Sequence, residues 1–176
     1  MALRAPAGIV APEATPVPSG FTLDADGARS AAVAFSRFGG ALVAMADADA
    51  IAARRAMASA ATAELQADEF ATALNRLRER WPAGSLSYQV TPLATRVRPA
   101  QTAMRVEVWY VGVVAARGTA TYAEWVTDTY ELVPEQGQWR VASLVEAHGP
   151  TPAPGPHPVA SPAELEARLA GFEPVA

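Results

Sequence analysis

A chain of 176 residues, 51% of them hydrophobic, is sized for one domain with short appendages, and a body of that length buries about 70% of its unfolded surface. Its formal charge of −4 and its fourteen basic residues, all arginines and scattered along the chain, argue against a nucleic-acid partner, which requires cations gathered on one face. The absence of cysteine removes disulfides, thiolate nucleophiles and cysteine-held metal centres.

Residues 1–20, with Pro6, Pro12, Pro16 and Pro18 among small side chains, predict a flexible Pro-rich leader. No basic start followed by an apolar run marks a signal peptide there, and no stretch of ~18 apolar residues occurs along the chain. From Phe21 the main domain begins and extends to residue 149. Asp24 or Asp26 can cap a first helix over about residues 26–46, in which Phe35, Phe38, Leu42 and Met45 recur at spacings of three and four. Gly39-Gly40 inside that helix predicts either a bend or a backbone neighbour that approaches closely. Asp47-Ala48-Asp49 opens a second, shorter helix with Arg54-Arg55 on its wet side. Leu65, Phe70, Leu74, Leu77 and Trp81 stripe a third, which Pro82-Ala83-Gly84 ends. Arg76, Arg78 and Arg80 lie in its last turns, where cations complement the helix dipole.

At Ser85 the apolar period changes from about 3.6 to 2, and β-branched and aromatic residues replace alanine. Four strands are predicted over about residues 85–98, 103–116, 120–134 and 138–148. Short connections at Arg117-Gly118-Thr119 and Glu135-Gln136-Gly137 favour an antiparallel meander, and strands of this length must curve to pack on helices. Val106, Val108, Tyr110 and Val114 fall on one face while Trp109, Val111 and Val113 fall on the other, so a partner, a ligand or the chain's own tail is expected to cover the second face. Residues 150–160, rich in proline, form a semi-rigid linker. Ser161-Pro162-Ala163-Glu164 then supplies a cap, a first-turn proline and a capping-box acid for a short helix over 161–172. Such a short helix must dock on something to be stable.

The sequence thus predicts an α+β domain, three N-terminal helices packed on a curved four-stranded antiparallel sheet. That order resembles the nuclear transport factor 2-like superfamily, whose conical fold also houses ketosteroid isomerase and periplasmic cores of type IV secretion systems. Pro18-Ser19-Gly20-Phe21 with Gly27-Ala28 and Ala31-Ala32, and the ending Gln138-Trp139-Arg140-Val141 before His148-Gly149-Pro150-Thr151-Pro152, look like actinobacterial membrane-anchored proteins encoded beside conjugation genes. The likeness spans about residues 18–152. It implies a non-catalytic scaffold of a conjugation or type IV secretion-like envelope apparatus, with protein partners or self-association, no cofactor and no transferred catalytic residues. In that family a membrane helix precedes the Pro-rich leader; here the leader stands without it, so the expectation is either a start downstream of the anchor, at the extracytoplasmic face of the envelope, or a soluble member, with the cytoplasm as the alternative location. Leu165, Leu169, Phe172, Tyr110 and Tyr122 are the candidate interaction residues.

A ketosteroid-isomerase-like enzyme or small-molecule binder is the rival expectation. General acid–base work in a cone would need a carboxylate beside a hydrogen-bond donor; Asp128 and Tyr130, two residues apart, supply such a pair, and Glu107, Tyr110 and His148 are further strand-borne candidates. The simpler expectation for Glu124, Asp128 and Arg140 is a set of cross-strand charges at a wet surface. Trp109, Trp125 and Trp139 share odd parity, which predicts a common aromatic floor beneath the helices. Neither His148 nor His157 has a ligand-like neighbour in sequence, so no metal is expected.

Overall fold

The computed structural model describes residues 16–116, 119–154 and 157–175; most of the predicted leader and the Arg117-Gly118 connection lie outside them. The chain is α+β: helices α1 (Ala25–Leu42), α2 (Asp47–Met57) and α3 (Ala63–Arg80) precede strands β1 (Leu86–Ala100), β2 (Ala103–Ala116), β3 (Thr119–Glu135) and β4 (Gln138–His148). Helix α4 (Pro162–Leu169) and a two-residue strand β5 (Glu173–Pro174) follow.

Asp24 caps α1 by accepting a hydrogen bond from the Gly27 amide at 2.7 Å. The helix then buries Ala28, Ala31, Ala32, Phe35, Phe38 and Leu42 against the sheet. It ends at Leu42, earlier than residue 46, because Arg78 reaches across from α3 and satisfies the Val43 and Met45 carbonyls. The same guanidinium pairs with Asp47 at 2.8 Å, so Arg78 ties α3 to the α1–α2 corner. Asp47 and Asp49 occupy the first turn of α2, whose cap position is Ala46 and carries no side-chain cap.

The two helical glycines have different neighbours. A Cβ on Gly40 would lie 2.6 Å from the Tyr88 carbonyl oxygen, whereas one on Gly39 would meet nothing within 4 Å. Close approach to β1 therefore explains Gly40 alone. Gly39→Ala is expected to stabilise the domain by about 0.5–1 kcal/mol through helix propensity, and Gly40→Ala to destabilise it by about 1–3 kcal/mol through overpacking. Urea denaturation of the two variants checks the opposite signs.

The sheet is antiparallel throughout, in the order β4-β3-β2-β1-β5. It has five strands where four were expected, because Val175 donates to the Leu93 carbonyl and Ala94 pairs with Pro174 along the β1 edge. Two residues ending in a proline give no period-2 signal in sequence. Each of the three long pairings contains one irregularity, at Pro92/Ala94, Val114/Ala115 and Glu131/Leu132, and such bulges bend a ribbon. The β4 edge is guarded by the α2–α3 connection: Ser59 donates to the Val141 carbonyl at 2.9 Å, and Gln66 of α3 reaches the same oxygen at 2.8 Å.

Only one of the three tryptophans named above reaches the core. Trp139 is buried and donates to the Thr22 carbonyl at 2.8 Å, while Trp109 and Trp125 lie half-buried on the sheet's opposite face. The two-residue turn Gln136-Gly137, both residues at positive φ, pairs Glu135 with Gln138 and so sets odd positions of β4 opposite even positions of β3. Equal parity on the two strands therefore means opposite faces there.

The chain's own tail covers the second face at one end. Gly149 donates to the Trp125 carbonyl and sits against the Trp109 ring, Pro150 and Thr151 are buried, and Arg168 of α4 donates to the His148 carbonyl at 2.6 Å. The capping box predicted at Ser161 and Glu164 forms, yet α4 buries none of its residues fully; Leu165, Leu169 and Phe172 are half-buried.

Candidate functional site

Even-numbered residues of β2 and β3 face the helices, which brings Tyr110, Asp128 and Tyr130 together beneath α1. Asp128 is 5% exposed, so the wet-surface expectation for it is wrong: β2, β4 and α1 enclose its inner-facing position. Tyr130 donates to one carboxyl oxygen at 3.2 Å and Ser36 of α1 to the same oxygen at 3.4 Å; Tyr110 donates to the other at 3.4 Å. The Ser36 and Tyr130 oxygens lie 3.1 Å apart, so either hydroxyl can turn from Asp128 to donate to the other.

Burial pushes the Asp128 carboxyl up to about 7, the negative charge of Glu146 adds to this, and the hydrogen bonds from Tyr130, Ser36 and Tyr110 oppose it. Burial first, and Asp128 second, raise the Tyr110 and Tyr130 hydroxyls well above their ordinary range, so both stay neutral donors. Arg54 of α2, expected on a wet surface, is half-buried; burial lowers its guanidinium while Tyr130, Asp128 and Glu69 raise it.

A cavity of about 290 Å³ lies in front of this cluster, reached by Ser36, Arg54, Tyr88, Tyr110 and Glu146. Asp128 stands behind Ser36 and Tyr110 rather than on the cavity wall. The Tyr88 ring lies over Gly112, where any Cβ would collide with it, and burial raises its hydroxyl well above the ordinary range. The packed protein around Glu146 and the like charge of Glu124 raise the Glu146 carboxyl, although the residue keeps an exposed edge.

Glu107 belongs elsewhere. It points to the opposite face of β2, where Arg96 grips it through two hydrogen bonds of 2.6 and 2.7 Å and thereby lowers its carboxyl; both side chains are mostly buried. Glu107 and Tyr110 lie on different faces of the sheet, so Glu107 takes no part in the interior cluster. Tyr110 is 2% exposed and offers no surface for a partner, whereas Tyr122 is 47% exposed. His148 and His157 stack with ring centroids 3.9 Å apart at the root of the tail, and no group of three or more His, Asp or Glu side chains is gathered for a metal among the described residues.

Sequence reasoning missed Ser36, Arg54, Tyr88 and Glu146. Ser36 was findable, as the polar member of an i, i+4 series of small residues, Ala32, Ser36 and Gly40, on the buried face of α1.

The class defined by these elements is an α+β domain in which helices cover one face of an open antiparallel sheet. No family model, no curated protein and no solved structure matches the chain. Among the described residues no helix is long and apolar enough to cross a membrane.

Proposed function

We propose that the chain is a non-catalytic interaction domain of the nuclear transport factor 2-like kind, serving a conjugation or type IV secretion-like envelope apparatus. The observation that supports an interaction role is the incomplete cover on the sheet's outer face. The tail protects Trp109 and Trp125, while the hairpin end, with Arg105, Thr129, Glu131, Ser143 and a 60% exposed Val145, stays open. An apolar side chain in a shallow polar-rimmed depression suits a protein contact. The likeness of element order and of the Pro-rich flanks carries the assignment to an envelope assembly.

Light scattering on the full chain at micromolar concentrations is expected to report self-association that Val145→Glu abolishes. A strict monomer unaffected by that substitution would count against the reading.

The second reading, a ketosteroid-isomerase-like enzyme or small-molecule binder, is favoured by a carboxyl held near neutrality beside two tyrosines. General base catalysis requires the base within hydrogen-bond reach of substrate, and Asp128 is screened from the cavity by Ser36 and Tyr110. Of the two forms of this reading, binding is the better supported.

A further inference from the structure

A cleft of about 620 Å³ opens where α3 ends over the sheet, within the range of volumes that hold small organic ligands. Its walls are apolar: Val43 beyond α1, Leu77 and Trp81 of the α3 terminus, and Leu86 at the start of β1. Arg76 and Arg80 stand at its edge.

These two cations are among the arginines that no ion pair holds, as are Arg37, Arg54, Arg105, Arg140 and Arg168 among the described residues. Arg29, Arg55, Arg78 and Arg96 each pair with a carboxylate, whereas no ion pair within 4.0 Å holds Arg76 or Arg80 among the described residues, and Arg80 lies 5.7 Å over the neighbouring Trp81 ring. The dipole at the end of α3 accounts for cations in the last turn, but not for their facing a hydrophobic hollow. One acid, Glu124, also lines the cleft, and no ion pair joins it to either arginine among the described residues. The mouth therefore carries two unpaired cations and one acid, a net positive charge. Its complement is a molecule with an apolar body and a single anionic head, because guanidinium forks suit carboxylates and a dry wall suits hydrocarbon.

We propose that the cleft at the end of α3 binds a small amphipathic organic anion, with its apolar part against Leu77, Trp81 and Val43 and its carboxylate held by Arg76 and Arg80. The inference goes beyond the interaction role and depends on a different surface, so light scattering and ligand binding can fail independently. The test is titration of the full chain with decanoate and with the anionic dye anilinonaphthalene sulfonate, alongside decanol as the neutral match.

Decanoate is expected to bind and to displace the dye, with affinity reduced about tenfold or more in Arg76→Glu/Arg80→Glu and lost when Val43→Trp fills the cavity. Both arginines are exposed, so the charge reversal leaves the fold intact, as an unchanged melting curve would show. Decanol should bind more weakly than decanoate. Absence of binding, equal affinity for decanol, or undiminished affinity in the charge-reversed chain overturns the proposal. Displacement of the dye by phosphatidylglycerol vesicles but not by free decanoate would also overturn it, by making the patch a membrane contact.

Discussion

Replacing Asp128 with asparagine is expected to raise the melting temperature in mildly alkaline buffer, by an amount that shrinks steadily as pH falls from about 7 toward 3.8. The carboxyl's ordinary value is 3.8 and its folded value is about 7, so between those limits the folded chain holds a proton that the unfolded chain has released. Unfolding then sheds a proton, and the stability contribution of this group is full below the unfolded value, declines as pH rises through the window, and is gone above the folded value. A shift of about three pH units corresponds to roughly 4 kcal/mol of penalty on the ionised form. The amide removes that penalty, but its extra N–H group must find an acceptor among Ser36, Tyr110 and Tyr130, so a net gain of about 1–3 kcal/mol is expected in alkaline buffer. For a domain of this size that is a rise of roughly 2–12 °C. Glu146, raised for similar reasons, leaves part of the pH slope in the variant. Thermal unfolding at several pH values checks the claim; a variant with the parent's full slope, or one destabilised in alkali, would refute it.

Arg96→Ala is expected to be the most damaging single substitution on the outer face. Arg96 spans three parts of the chain: it grips Glu107 on β2, donates to the Ala170 carbonyl at 2.8 Å beyond α4, and lies 4.5 Å over the Phe172 ring. Removing it strands a largely buried carboxylate and unfastens the tail. A loss of about 2–4 kcal/mol follows, below the upper range for fully buried pairs because both partners keep some exposure. Arg29→Ala, which breaks a more exposed pair to Glu173, should cost no more than about 1 kcal/mol. Because Arg96 lowers the Glu107 carboxyl, the contribution of this pair is present above the ordinary range and is lost as pH falls through the folded value, opposite in sign to Asp128. Chemical denaturation of the two arginine variants, with hydrogen exchange at the β1 edge as a second readout, separates a loosened tail from a weakened core. Equal effects from both substitutions would contradict the role given to Arg96.

Local signals in the sequence were strong wherever one residue decides one element. The period change at Ser85 placed the start of β1, Asp24 placed α1, and Ser161 with Glu164 placed α4. Sidedness was harder to read, because it depends on register. Trp139 and Trp109 have the same parity yet lie on opposite faces, since a two-residue turn changes which positions oppose each other. The irregularity between Glu131 and Leu132 then brings Leu144 and Glu146 back to the helical side, so Glu146 reaches Asp128 although Val141 and Trp139 share that face at odd positions. The Asp128–Tyr130 association was legible from their spacing of two. Its enclosure by Ser36 and the approach of Arg54 were not, because they require knowing where α1 and α2 come to rest.

The interior carboxyl belongs to the fold, closed off by Ser36, Tyr110 and Tyr130. A carbon-detected NMR titration of the aspartate side chains measures this directly. One carboxyl should titrate near 7 and disappear from the Asp128→Asn spectrum. If every aspartate titrates close to its ordinary value of 3.8, Asp128 is open to water and the interior is a solvent-filled site instead.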